Sequence, residues 1–467
     1  MNIKQLLKDF GFVIFSNLQT LSISTIIVLV VPKIIGVKEY GYWQLFMFYS
    51  SYLGILHIGW LDGIYLRYGG EMYEDLNKKL FHNQFWLLMT FQTVFALIII
   101  MIATFSNDKQ YSFILYALSL YLLINISQSF CKFILQITNR IREYSVVTVL
   151  TNTIYIATVI ILMLSNVRDF RMLIMAFIFG NMVASFYALF LLKDIIFQRD
   201  IHRYFESFNE ALSNIKAGFP LLMANLSAML VIGVVRIGIQ KGWGVEEFGK
   251  VSLTLSISNL LMIFINSVSL IIFPKLKRIN YSKVKKIYPA IRDLLMPAIF
   301  VSMLVYFPIN YLIPMWLPQY DSALVYMSVL FPMVAYQAKF EILSNTFMKV
   351  IRMEKQLLIL NVFAMVISTV LTGVCVLMLH NLTLTVFSIV IVMAIRSTIA
   401  EWYIRNKLNV RLFSEICLEM IIIASFVLLS WYLNNIQSAI GYILILIIYI
   451  RIKHSDISKS IKLIKEI

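Results

Sequence analysis

Gly36-Val37-Lys38-Glu39-Tyr40-Gly41 leads from one apolar run into the next, and Gly244-Val245-Glu246-Glu247-Phe248-Gly249 does the same in the second half of the chain. Two further pairs keep the same order. Gly11-Phe12 corresponds to Gly218-Phe219, and Asn17-Leu18 to Asn225-Leu226. The offset is nearly constant, about 207 to 208 residues, which marks an internal repeat. Six apolar spans separate the copies. An even number keeps both copies in the same orientation, so the expected symmetry is a two-fold axis along the membrane normal. Two such lobes are expected to leave a cleft that rocking would open to alternate sides.

The chain has 467 residues, 60% hydrophobic and 14% charged. A soluble protein is about one quarter charged. Too little polar surface is present to face water alone, so lipid is the expected solvent for much of the exterior. Apolar segments long enough to span recur at residues 10–31, 41–61, 84–104, 111–136, 144–165, 172–192, 217–239, 248–273, 294–313, 323–348, 357–379, 384–404 and 415–433. A shorter one at 439–450 completes fourteen. The fold class is therefore an all-α polytopic membrane protein of about fourteen transmembrane helices. The organisation is an N-terminal six-helix lobe (1–200), a C-terminal six-helix lobe (201–410), and two extra helices with a basic tail (411–467).

The net charge of +16 is distributed unevenly. The outer loops hold Lys33, Lys38, Lys109, Arg168, Arg171, Lys241 and Lys250, against about 29 basic residues in the inner segments. Translocation disfavours basic loops, so both termini are placed inside, and no nucleic-acid partner is needed to explain the charge. Tyr40, Tyr42, Trp43, Trp60, Trp243, Trp316, Trp402 and Trp431 near span ends are expected to form aromatic belts at the lipid–water boundary. The first apolar run leads into a polytopic chain, so no cleaved leader is expected. Cys131, Cys375 and Cys417 lie far apart and show no metal spacing. No GxxxxGK[ST] loop is present, so direct ATP use is not expected, and no metal or organic cofactor is expected.

The stretch from Gly36 through Tyr42-Trp43-Gln44-Leu45 resembles the end of the first hairpin in Wzx-type O-antigen and capsular polysaccharide flippases. So does Gly59-Trp60-Leu61-Asp62-Gly63-Ile64-Tyr65-Leu66-Arg67-Tyr68-Gly69-Gly70. These flippases form the polysaccharide-transport branch of the multidrug/oligosaccharidyl-lipid/polysaccharide exporter (MOP) superfamily. The resemblance covers the whole chain in span pattern. It implies two six-helix bundles in a V, followed by two helices like those of the lipid II flippase. It implies an undecaprenyl-diphosphate-linked oligosaccharide repeat unit as cargo, with membrane lipid around it. It also implies a monomer in the bacterial inner membrane, beside polysaccharide polymerase and chain-length partners. The coupling ion, H+ or Na+, stays open.

A flippase of this kind must give a diphosphate and many hydroxyls a polar route through hydrocarbon. Cations and hydrogen-bonding groups inside spans are therefore the candidates. Arg236 lies in span seven, Lys339 and Glu341 in span ten, and Arg396 near the middle of span twelve, where snorkelling is hard. Lys339 is expected to reach a carboxylate on a neighbouring helix, and Glu341 to pair with a basic residue. Glu401 is expected to face the headgroups. Asn17, Gln19, Thr20, Ser22 and Ser24 make span one polar, and Asn225 and Ser227 do so for its repeat, span seven, which suits a sugar-lined cleft. Asp62 and Arg67 are the candidate cytoplasmic gate, with His57 nearby as a packed polar residue or proton relay. The Lys275–Lys286 cluster suits contact with anionic headgroups.

Span one carries no Asp or Glu in its interior and lacks the arginine that the lipid II flippase places in its cavity. This counts against cation coupling through N-lobe acids and against lipid II as cargo. The alternative function is a cation-coupled multidrug or small-solute antiporter of the same superfamily. An enzyme is not expected, since no long loop or catalytic cluster is present.

Overall fold

The computed structural model describes residues 3–198, 204–277, 281–410 and 413–465, and every regular element among them is helical. By contacts the chain divides into two units, Met1–Leu226 and Ser227–Ile467. Unit 1 begins with α1 (Ile3–Ile35), α2 (Val37–Tyr52), α3 (Trp60–Tyr68), α4 (Lys78–Thr104) and α5 (Lys109–Ile137). It continues with α6 (Ile141–Leu164), α7 (Phe170–Leu191), the short α8 (Lys193–Ile196) and the first third of α9 (Tyr204–Lys277). Unit 2 holds the rest of α9, then α10 (Tyr281–Ser302), α11 (Tyr306–Trp316), α12 (Ala323–Leu330), α13 (Pro332–Lys339) and α14 (Thr346–Val350). It ends with α15 (Glu354–Gly373), α16 (Leu382–Leu408), α17 (Phe413–Tyr432) and α18 (Asn435–Lys465).

Among the described residues, twelve helices are long and apolar enough to cross a membrane. One of them, 205–260, contains predicted span seven and the first half of span eight, because the backbone leaves helical geometry only at Gly244. Predicted span two is absent from the twelve because it is broken. It consists of α2, a 3-10 turn at Leu53–His57, left-handed Ile58 and Gly59, and then α3. Span fourteen is longer than predicted: α18 runs for 31 residues. The start of span nine also lies earlier than expected, since α10 begins at Tyr281 and brings Arg292 and Asp293 into the helix.

Helix starts follow local chemistry. Asn77, Asp108, Asp169 and Asn381 each accept a hydrogen bond from a backbone N–H in the first turn of α4, α5, α7 and α16. This satisfies donors that have no partner inside the helix. The repeat is also visible in the backbone. Gly36 has φ 81 and ψ 168, and Gly244 has φ 85 and ψ −174. Side-chain-bearing residues avoid that region, which is why glycine stands at both turns. Glu39, three residues on, accepts from Phe170 N at 3.1 Å, and its counterpart Glu247 accepts from Tyr326 Oη at 3.1 Å.

The core of unit 1 packs Trp60, Phe81, Phe85 and Phe130 with residues of α7 and α8. That of unit 2 packs Tyr288, Phe340, Phe347 and Ala400. Of the aromatic residues expected at the lipid–water boundary, Trp316, Trp402 and Trp431 are exposed. Tyr40, Trp43 and Trp60 are buried instead, because they pack inside unit 1, with Trp60 Nε1 donating to Gln84 Oε1 at 2.7 Å. Of the basic cluster before span nine, Arg278 and the side chains of Lys275, Lys277 and Lys283 lie outside the described residues, as do the side chains of Gly11-Phe12.

Candidate functional site

In unit 2 five helices meet at a chain of buried charges. Arg292 on α10 is 2% exposed, Lys339 on α13 2%, Glu401 on α16 0% and Glu419 on α17 2%. Lys339 Nζ lies 2.5 Å from Glu401 Oε2 and 2.6 Å from Glu419 Oε2. Arg292 Nε lies 2.9 Å from Glu401 Oε1, and its Nη2 pairs with the other oxygen of Glu419. The four groups thus close a ring of alternating charge. Tyr288 Oη donates to Glu401 at 3.3 Å. The chain extends through Glu415, 3.4 Å from Arg292, to Lys453 on α18, which also lies 3.6 Å from Asp293 and 3.0 Å from Asp456.

Burying such groups costs several kcal/mol per ion, on the order of the Coulombic gain, so pairing is what makes the arrangement tolerable. The expected carboxylate partner of Lys339 is thus found, on two helices. The expectation for Glu401 is corrected. It is fully buried rather than at the headgroups, because Arg292 and Lys339 hold both its oxygens. Arg292, Asp293, Glu415, Glu419 and Lys453 were not singled out from sequence. Glu415 and Glu419 did carry a signal, since an i, i+4 pair puts two acids on one face of an apolar helix. Arg292 and Asp293 fell just outside the predicted span.

Arg396 is 4% exposed, and its Nε and Nη2 both donate to Asn361 Oδ1, at 3.0 and 2.7 Å. Its guanidinium lies 3.7 Å from the Phe340 ring centre. Among the described residues it forms no ion pair, and a planar guanidinium suits both contacts better than an ammonium. Glu341 accepts from Asn345 Nδ2 at 2.8 Å. It opens a wider, π-type turn, Phe340–Asn345, in which Thr346 Oγ1 donates to the Glu341 carbonyl five residues back. Arg236 bridges the Gly244 break: Nη2 donates to Ser252 Oγ at 2.9 Å, and the guanidinium lies 4.9 Å from the Phe248 ring centre.

In unit 1 the polar stripe of α1 is engaged by α6. Gln19 Nε2 donates to Thr153 Oγ1 at 2.7 Å, and Asn152 Nδ2 to Thr20 Oγ1 at 2.8 Å. The repeat-related Asn17 and Asn225 are both exposed. Arg67 does not meet Asp62. It pairs with Glu210 and donates to Asn214 Oδ1 at 2.7 Å, both on α9, while Tyr68 Oη donates to Glu210 at 2.5 Å. Asp62 Oδ2 instead lies 3.9 Å from His57 Nε2.

No protein-family model and no curated protein sequence matches this chain. Solved structures do. An inward-facing multidrug resistance transporter of the MATE family matches with a TM-score of 0.64 at 14% identity, over 84% of this chain and 98% of that one. The lipid II flippase MurJ, in an inward closed conformation, matches with a TM-score of 0.62 at 12% identity, over 96% of this chain and 99% of that one. A MOP superfamily transporter from Pyrococcus furiosus matches at 0.51 and 12% identity, over 86% and 96%. The chain is thus a multi-pass helical membrane protein with the fold of MOP superfamily transporters. Within that fold it is similar along nearly its whole length to the lipid II flippase structure.

Proposed function

We propose that this chain is a flippase that moves an undecaprenyl-diphosphate-linked oligosaccharide repeat unit from the inner to the outer leaflet by alternating access. The observation that carries this reading is the way α17 and α18 are built into unit 2. Glu415, Glu419 and Lys453 tie them to α10 and α13. The whole chain, these two helices included, matches the flippase structure over 96% of its length, where the multidrug transporter covers 84%. In this reading Arg396 and Arg236 meet the diphosphate, Asn17, Gln19 and Asn225 the sugars, and Lys339 holds the frame. Arg67 on Glu210, with Asp62, forms the cytoplasmic gate. The second reading is a cation-coupled multidrug antiporter, favoured by the TM-score of 0.64 to the MATE transporter.

Deletion of the gene followed by lipid extraction tests the proposal. Accumulation of undecaprenyl-linked repeat units on the inner leaflet is the expected outcome. Unchanged surface glycan overturns it, and a gain of drug sensitivity in its place favours the antiporter.

A further inference from the structure

The break in span two is held by an imidazole. His57 ends the 3-10 turn, and Ile58 (φ 51) and Gly59 (φ 83) follow it in the left-handed region. A β-branched residue there is an outlier that the surroundings must impose. Two groups impose it. Gln92 Nε2 of α4 donates to the Leu56 carbonyl at 2.9 Å, and the Gly59 N–H donates to His57 Nδ1 at 3.1 Å. Nδ1 is therefore an acceptor, and the proton of the neutral ring sits on Nε2. Nε2 points to Asp62 Oδ2, 3.9 Å away, in the first turn of α3.

The turn presses on α9. A Cβ added at Gly218 would lie 2.0 Å from the Gly59 carbonyl oxygen, and one added at Gly59 would lie 2.6 Å from Phe219 N. One helical turn on, a Cβ at Gly63 would lie 1.8 Å from the Asn214 carbonyl oxygen. Backbone meets backbone along this seam, and α9 is the helix that continues into unit 2.

We propose that His57 and Asp62 form a proton-binding site that controls the contact between the span-two break and α9 at Gly218. The ligand is a proton from water, arriving past Asp62, whose side chain is 14% exposed. Hydronium gives up its proton to the Nδ1 lone pair, its O–H bond breaking to leave water, and the ring becomes imidazolium. Nδ1 is then a donor facing the Gly59 donor, so the bond that holds the left-handed pair is lost. The new charge is drawn to Asp62.

Other charges are turned elsewhere. On α4, which faces the turn with neutral Gln92, the charged and titratable residues Lys78, Lys79 and His82 lie ten or more positions away, about 15 Å along the helix. On α5, Lys132 lies over the Tyr144 ring of α6, and Lys109 stands at the far end. On α2, Tyr49 pairs with the Tyr111 ring. On α9, Lys216 is exposed and Glu210 is held by Arg67 and Tyr68.

The site as a coupling device rests on the transport reading above, but its occupancy is read without cargo. The chain has five histidines, so 15N-histidine NMR of the reconstituted protein can resolve His57, assigned by its loss in His57→Gln. The expected result is a neutral ring with unprotonated Nδ1 at high pH and a doubly protonated ring on acidification. Amide exchange at residues 57–63 and 214–222 rises over the same range. His57→Gln keeps an acceptor for Gly59 but takes no proton, so its exchange loses that rise. Asp62→Asn loses the doubly protonated signal where the wild-type protein shows it. A ring that stays neutral wherever the protein is folded overturns the proposal, and so does exchange that ignores the titration. Unchanged surface glycan in the deletion strain would remove the flippase reading and leave this titration standing.

Discussion

Lys339 Nζ lies within 2.6 Å of Glu419 and 2.5 Å of Glu401, so one ammonium joins α13 to both α16 and α17. With Arg292 on the opposite side of both acids, each charge in the ring has two opposite neighbours. Removing one member leaves an uncompensated buried charge, whereas replacing a pair with apolar groups does not.

Glu419→Leu is accordingly expected to destabilise the folded protein by about 3–5 kcal/mol. The double variant Lys339→Met with Glu419→Leu should lose less than the single change. Thermal midpoints of the four proteins of this cycle, in the same detergent, check the claim. An additive pair would show that the two residues do not interact.

Gly63 and Gly218 have no room for a side chain, since a Cβ at either would fall within 2.0 Å of backbone oxygen on the facing segment. Gly63→Ala and Gly218→Ala should abolish accumulation of folded protein. Gly373, also helical, has nothing within 4 Å of its added Cβ. Gly373→Ala should fold normally and gain about 0.4–1 kcal/mol from the stiffer unfolded chain. Size-exclusion profiles of the three variants separate the cases.

Gly36 and Gly244 stand in open space, so alanine meets only backbone strain there. Each substitution is expected to cost about 1–3 kcal/mol, and by a similar amount in the two halves. Unequal losses in thermal midpoint would show that the two turns carry different loads.

Asp194, outside the spans, pairs with Lys78 and accepts from Tyr73 Oη at 2.6 Å. Burial works to raise its pKa, but the Lys78 and Tyr73 hydrogen bonds outweigh it and hold the carboxyl below its ordinary value of 3.8. A depressed folded value means the pair's stabilisation is present above that ordinary value and fades as pH falls through the folded one. Wild type should therefore exceed Asp194→Asn in thermal midpoint near neutrality, with the gap closing below about pH 4. A gap that is constant with pH would refute the charge argument.

Arg396 holds Asn361 with two nitrogens and lies flat over Phe340. Lysine keeps the charge but cannot reproduce the fork or the stacking. Arg396→Lys should fold yet fail to restore glycan export in a deletion strain, and Arg396→Ala should fail as well. Full complementation by both would remove Arg396 from the proposed route.

The sequence by itself determined the helical spans, the repeat and the two glycine turns. Hydropathy and helical period are properties of neighbours in the chain, and the demand for positive φ at Gly36 and Gly244 is local too. What it left open was which charges meet. Arg292 and Glu401 are 109 residues apart, and Lys339 and Glu419 are 80 apart. No periodicity links such positions. Only the packing of five helices brought them together and turned Glu401 away from the membrane surface. The same holds for the His57 turn, since hydropathy does not report a backbone break that Gln92 of α4 braces from outside span two and His57 from within it.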